Sequence, residues 1–192
     1  MDPQLYLASA SPRRKQLLEQ LGLRFEVVVA DMDERLRPGE AAEDYVSRVA
    51  AAKAQAVVRR LGSPSLPVLA ADTAVVLGGI ILGKPKDRAD GIAMLDRLAG
   101  RSHQVLSTVA LWHSGGMRMA VSRSRVTFRT ISPEEAAVYW ASGEPADKAG
   151  GYGIQGLGGV FVESLDGSYS GVMGLPLFET AALLKDAGIH VL

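Results

Sequence analysis

A few charged side chains in apolar or turn-rich surroundings carry the chemical potential of this chain. Asp72 stands inside Val68-Leu69-Ala70-Ala71-Asp72-Thr73-Ala74-Val75-Val76-Leu77, a run that is otherwise almost wholly apolar. Burying a carboxylate costs several kcal/mol unless a cation, a metal or hydrogen-bond donors compensate. Such an acid either ties to neighbouring backbone N–H groups or belongs to a site, and its place in an apolar strand favours a site. Lys53 falls within the apolar stripe of a helix, one turn after Val49 and Ala50. Two readings fit it: a stem that packs while the ammonium reaches water, or an ammonium directed into a cleft beside an anion. Arg13 and Arg14 open a helix after Ser11-Pro12, where free N–H groups and the helix dipole attract anions and two guanidinium forks can grip phosphates.

Lys84, in Leu82-Gly83-Lys84-Pro85, and Glu34, in Asp31-Met32-Asp33-Glu34, read singly as turn residues. As a set, these residues supply cations to clamp phosphates and carboxylates to hold a divalent metal or activate water. Phosphoanhydride hydrolysis requires those groups.

The elements that must position them follow from periodicity and caps. Leu5 to Ala8 reads as a strand leading into a helix with Ser11 as N-cap, Pro12 at its first position and Gly22 past its end. Phe25 to Val29 is a second strand and Ala41 to Leu61 a long amphipathic helix. Val68 to Leu77 turns through Gly78-Gly79 into Ile80-Ile81-Leu82. Asp87 caps a helix ending near Gly100. His103 to His113 and Met117 to Thr130 form a second hairpin about Ser114-Gly115-Gly116. Ser132-Pro133-Glu134-Glu135 is a capping box, the span Gly150 to Gly159 is glycine-rich, Val160 to Val162 is a strand, and a last helix covers Pro176 to Ala187. Strands and helices mix without strict alternation, so the expectation is one α/β domain over residues 1–192, an elongated mixed β-sheet flanked by helices.

Composition narrows the function. Of 192 residues, 47% are hydrophobic, enough for a core. Charges balance at 21 against 21, without the basic excess of a nucleic-acid binder. The absence of cysteine excludes disulfides, thiol nucleophiles and cysteine-ligated metals, and His103, His113 and His190 lack metal spacing. Met1-Asp2-Pro3-Gln4 opens no signal peptide and no apolar run spans a bilayer, so the reading is cytoplasmic, without a membrane partner. Two motifs mislead. Gly151-Tyr152-Gly153-Ile154-Gln155-Gly156 formally matches a dinucleotide fingerprint but precedes a strand instead of opening a helix. Gly167-Ser168-Tyr169-Ser170-Gly171 resembles a nucleophile elbow with tyrosine in place of the serine.

Leu7-Ala8-Ser9-Ala10-Ser11-Pro12-Arg13-Arg14, Ala70-Ala71-Asp72-Thr73, Leu82-Gly83-Lys84-Pro85, the span from Gly143-Glu144-Pro145 to Ile154-Gln155-Gly156, and Gly167-Ser168-Tyr169 continuing to Gly174-Leu175-Pro176 closely resemble the motifs of the Maf family of nucleotide pyrophosphatases. The match runs through essentially the whole chain in order. The resemblance implies a Maf/ITPase-like α/β fold with a cleft between two lobes, and a homodimer. It implies hydrolysis of a nucleoside triphosphate between the α and β phosphates with a divalent cation such as Mg, Mn or Co. The proton-accepting acid of the family falls on Asp72, its basic residues on Arg13, Arg14, Lys53 and Lys84, and its loop acid on Glu34, with Glu34 and Asp72 as metal ligands. Whether Asp72 acts as base, ligand or both stays open at this stage.

Ser11-Pro12-Arg13-Arg14 with Ile154-Gln155-Gly156 looks like the dTTP/UTP branch, whose specificity positions would be Arg13, Thr73 and Gln155. Glutamine offers both a carbonyl and an amide to a pyrimidine edge. Ala74 departs mildly from the bulkier β-branched residue expected there. Alternatives are a 7-methyl-GTP or other non-standard nucleotide pyrophosphatase, and a regulatory protein of septum formation.

Overall fold

The computed structural model describes residues 2–29 and 31–192. In chain order its elements are β1 (Leu5–Leu7), α1 (Pro12–Gln20), β2 (Phe25–Val27), α2 (Ala42–Leu61), β3 (Val68–Leu77) and β4 (Ile80–Leu82). There follow α3 (Arg88–Leu98), β5 (Ser102–His113), β6 (Gly116–Phe128), α4 (Pro133–Ala141), β7 (Val162–Asp166), α5 (Tyr169–Met173) and α6 (Leu177–Asp186). Three 3-10 turns, Glu144–Asp147, Ala149–Gly151 and Leu157–Phe161, connect α4 to β7. The mixed sheet has the order β2-β1-β3-β5-β6-β7, with β4 paired to β3.

The long strands β3, β5 and β6 run antiparallel and give the sheet its length. β5 occupies one edge of β3 from Val68 to Val76. On the other edge, β1 pairs in parallel with Val68 and Leu69, and β4 pairs antiparallel with Val75, Val76 and Leu77. Between them β3 has no strand neighbour among the described residues, and this interruption holds Asp72.

Alternation along β3 sends Val68, Ala70, Ala74 and Val76 to the face packed with Val46, Ala54 and Val57 of α2. Leu69 and Ala71 pack with α1 and α6, and Val75 with α3 and α4. Asp72 and Thr73 interrupt the apolar run on both faces at the same level. Cross-strand register extends that interruption to Thr108 opposite Asp72, and to Ser107 and Ser122 beside Thr73. Thr108 and Ser107 are fully buried, and each hydroxyl is bonded: Thr108 with Ser47 at 3.2 Å, Ser107 to the Gly171 carbonyl at 2.6 Å. A polar band thus crosses the sheet and divides the apolar core along its length. The fully buried Thr108 and Ser107 hydroxyls are tolerated because each has a partner.

Two local expectations are corrected, and one short element was not anticipated. Residues 157–161 form a 3-10 turn, so the strand begins at Val162 instead of Val160. Gly158 and Gly159 favour the tighter turn, since a Cβ at either would meet backbone atoms of Gly153 or Ile154 at 2.8 Å. Ser11 takes the N-cap position of α1 with extended backbone, but its hydroxyl makes no capping bond. The backbone N–H of Ser11 instead donates to Ser9 Oγ at 3.2 Å. Tyr169–Met173 is a short helix capped by Ser168, which accepts from Gly171 N; five residues are too few for periodicity to reveal. No helix among the described residues is long and apolar enough to cross a membrane.

His103 shows how the far half of the core is built. It is buried, its ring packs edge-on to Phe128 and Tyr152, and Nε2 lies 2.8 Å from the Tyr152 hydroxyl. Burial pushes its pKa down to about 4. The unfolded chain takes up this proton near pH 6.5 and the folded chain only near 4, so stability is lost as pH falls through that window. Loss on the order of 3 kcal/mol is expected. Urea unfolding between pH 7 and 4 measures it, and His103→Gln, which keeps a partner for Tyr152 but does not titrate, flattens the profile.

Candidate active site

At the interrupted edge of β3 lies a cavity of about 740 Å3, within the size range of small-molecule sites. One wall is the end of β1, the first turn of α1, Glu34 and Lys53; its floor is Asp72 and Thr73; the opposite wall carries Lys84 and the segment from Glu144 to Gly156. Every site residue expected from the sequence lines this one cavity: Arg13, Arg14, Glu34, Lys53, Asp72, Thr73, Lys84 and Gln155.

Lys53 is the centre of charge. Its Nζ lies 2.8 Å from Asp72 Oδ1 and 2.8 Å from Glu34 Oε2. The side chains of Lys53 and Asp72 are 16% and 9% exposed, so this is an ammonium committed to a cleft, not a snorkelling one. Burial raises the Asp72 pKa above the ordinary carboxylate value, opposed by attraction to Lys53 and Arg14. A carboxylate in this state is a better proton acceptor than an exposed one. Burial lowers the pKa of Arg14, again opposed by Asp72.

Arg14 is held by three acceptors. Its Nε donates to the Gly174 carbonyl at 2.8 Å, and its terminal nitrogens approach Ser9 Oγ at 3.3 Å and Thr73 Oγ1 at 3.4 Å. Thr73 and Ser107 hydroxyls are 2.7 Å apart. The polar band of the sheet therefore continues into the site and fixes the guanidinium. Without a side-chain cap from Ser11, the first turn of α1 also keeps its positive end toward the cavity.

The far wall contains residues to which sequence reasoning assigned no role. Glu144 Oε1 accepts from the Tyr139 hydroxyl at 2.7 Å and from Gly158 N at 3.1 Å, while Oε2 accepts from Leu157 N at 2.8 Å. Tyr139 in turn accepts from Gly153 N at 3.0 Å. These bonds outweigh desolvation and hold the Glu144 pKa below its usual value. The glycine-rich segment is wrapped closely on this pair: a Cβ on Gly156 would sit 2.2 Å from Glu144 Oε2, and one on Gly158 2.5 Å from the Tyr139 hydroxyl. The density of glycines was the only signal in the sequence, and it points to close backbone approach without naming what is approached.

Two contacts bridge the walls. Arg13 Nη1 pairs with Asp147 Oδ2 at 3.2 Å, and Gln155 Nε2 donates to Gln16 Oε1 at 2.9 Å. Lys148 Nζ bonds Asp147 Oδ1 at 2.7 Å and the Glu144 carbonyl at 2.6 Å.

No group of three or more His, Cys, Asp or Glu suited to a metal occurs among the described residues. Glu34 and Asp72 meet at one ammonium and supply two oxygen donors. That set fits a hard cation such as Mg, which takes one or two carboxylates and completes its shell with water and phosphate oxygens.

The family model described as Maf-like protein matches residues 4–187. The chain belongs to the Maf family. Among its Maf relatives, the dTTP/UTP pyrophosphatase of Cupriavidus metallidurans is 55% identical over 97% of this chain and 98% of its own. The dTTP/UTP pyrophosphatase of Hahella chejuensis is 54% identical over 97% of this chain and 94% of its own. That of Bordetella parapertussis is 55% identical over 98% and 95%. Among solved structures, the Staphylococcus aureus Ham1 protein aligns with 67% of this chain and 72% of its own at TM-score 0.44 and 17% identity.

Attraction to Lys53 opposes the burial of the Asp72 charge in this Maf site. Lys53→Met removes that attraction, so the Asp72 midpoint moves further up. Carboxyl titration by NMR of selectively labelled aspartate measures this, and an unmoved midpoint means the contact does not govern the acid.

Proposed function

We propose that this chain hydrolyses dTTP and UTP to the nucleoside monophosphate and pyrophosphate, with modified pyrimidine triphosphates within its range. The observation that carries the reading is Lys53 joining Asp72 and Glu34 inside a cleft that also contains Arg13, Arg14 and Lys84. The names of the relatives, each a dTTP/UTP pyrophosphatase, support the substrate class.

In this mechanism Arg14, Lys53 and Lys84 hold the triphosphate by charge-assisted bonds, and Arg13 serves the phosphates or a base carbonyl. Asp72 takes a proton from the attacking water as its oxygen bonds to the α-phosphorus. The bond from the α-phosphorus to the bridging oxygen breaks, and pyrophosphate leaves with the electron pair. Burial works against the Asp72 charge, and attraction to Lys53 and Arg14 favours the ionised form. Glu34 and Asp72 would hold the divalent cation, Mg, Mn or Co, whose chemistry is to neutralise charge on the phosphates. Thr73 and Gln155 serve substrate choice. The proposal has the enzyme acting in the cytoplasm on free nucleotides and not on a polymer, in keeping with the balanced charge. The homodimer rests on the family resemblance.

Asp72→Asn is expected to lower kcat by about two to four orders of magnitude with the fold retained. Lys84→Ala is expected to lower kcat/KM with little change in stability, since it contributes charge at the rim instead of packing. The measurement is pyrophosphate release from dTTP, UTP, CTP, GTP and 7-methyl-GTP with each metal, beside thermal unfolding. Near wild-type turnover by folded Asp72→Asn, or a purine triphosphate as best substrate, overturns the proposal.

A further inference from the structure

Gln155 stands in a turn over 153–156 that closes through the 3.3 Å bond from Gly156 N to the Gly153 carbonyl. Its neighbour Ile154 packs against both halves of the core, while Gln155 is exposed and lines the cavity. Both flanks of this turn are bonded to one pair of side chains. On the leading side Gly153 N donates to the Tyr139 hydroxyl at 3.0 Å. On the trailing side Leu157 N and Gly158 N donate to the two Glu144 oxygens at 2.8 and 3.1 Å. The Tyr139 hydroxyl joins the two anchors by donating to Glu144 Oε1 at 2.7 Å.

Every group in this set has a fixed role. Backbone N–H groups only donate and an ionised carboxylate only accepts, so the Tyr139 proton must go to Glu144. Against desolvation, the bonds from Tyr139, Gly158 and Leu157 hold the Glu144 pKa below its usual value. The fit leaves no slack, since a Cβ on Gly156 would sit 2.2 Å from Glu144 Oε2. A mobile turn would have to be ordered each time a nucleotide bound, at a cost in affinity. Here folding orders it beforehand. What the anchors fix is the point from which the Gln155 side chain starts, whichever way its amide faces.

We propose that Tyr139 and Glu144 are positioning residues for substrate recognition: they act on the nucleotide through Gln155, by clamping both flanks of the turn that carries it. This rests on the reading that Gln155 contacts the substrate. Tyr139 is buried behind the wall. Glu144 borders the cavity, but both its oxygens are bonded to donors of the wall itself.

The test is a double-mutant cycle on kcat/KM for UTP, read from pyrophosphate release. Gln155→Ala is made in three backgrounds: wild type, Tyr139→Phe and Glu144→Gln. Phenylalanine at 139 keeps the edge-on contact with Phe161 and loses only the hydroxyl. Glutamine at 144 replaces one acceptor oxygen by an N–H pair, so Leu157 N or Gly158 N faces a donor whichever way the amide turns. In the wild type, Gln155→Ala is expected to cost on the order of tenfold, the effect of about one hydrogen bond. In either anchor variant it is expected to cost about threefold or less, because the contact it removes is already loosened. Loss of folded protein lowers both members of a pair alike and cancels in their ratio, so a merely structural role does not move it. An equal cost of Gln155→Ala in all three backgrounds overturns the proposal. So does loss of turnover in Glu144→Gln while Tyr139→Phe keeps the full Gln155 effect, which gives Glu144 a direct role at the substrate. If Gln155→Ala costs nothing in the wild type, Gln155 does not contact the nucleotide, and the reading beneath the proposal fails with it.

Discussion

The burial of the Asp72 carboxylate is the constraint on which the site depends. A charge in the middle of an apolar strand is tolerable only if opposite charge reaches it, and Lys53 and Arg14 arrive from the two helices on opposite sides of β3. The arrangement is costly for a scaffold, because removing either partner strands the other in a low-dielectric setting. It suits an acid that must be ionised yet basic. Burial raises the pKa of the acid, and attraction to Lys53 and Arg14 opposes that rise.

The sheet supplies the opening. β1 and β4 share one edge of β3 without meeting, and the space between them exposes the strand beside Asp72. A continuous neighbouring strand would have closed that edge. The polar band from Thr73 through Ser107 to the Gly171 carbonyl carries the interruption across the sheet. On the face away from α2 it leaves the apolar core in two halves, one around α1 and α6 and one around α3 and α4, and the α2 face is divided in the same way. The cleft and the divided core are two aspects of the same polar residues at one level of the sheet.

The two walls differ in how they hold their functional groups. On the α1 and α2 side, side chains stand on helices and reach the site through their own length. On the other side a glycine-rich segment is fitted to a half-buried Tyr139–Glu144 pair, so that backbone position, not side-chain length, decides where Gln155 stands. Glycines at 153, 156 and 158 give the clearance that this fit requires. Phosphate binding tolerates flexible reach, since a point charge acts over several ångströms. Reading a base edge does not, because a hydrogen bond fails within less than one.

Local patterns in the amino-acid sequence were enough to identify the elements and the individual anomalies. An apolar run marks β3, alternation marks β5 and β6, helical spacing marks α2, and the Ser132 capping box appears in the structure as read, because these signals arise from neighbours along the chain. Asp72 and Lys53 stood out because each contradicts the apolar pattern around it. Motif order carried the family assignment. Tertiary structure alone decided that Lys53 joins Asp72 to Glu34, that Ser11 leaves the first turn of α1 uncapped, and that Glu144 anchors the glycine-rich wall. It alone brought Gln16 to Gln155, 139 residues away. Hydrogen bonds and ion pairs act over a few ångströms of space, and where two distant segments come that close is set by the packing of the whole sheet and its helices.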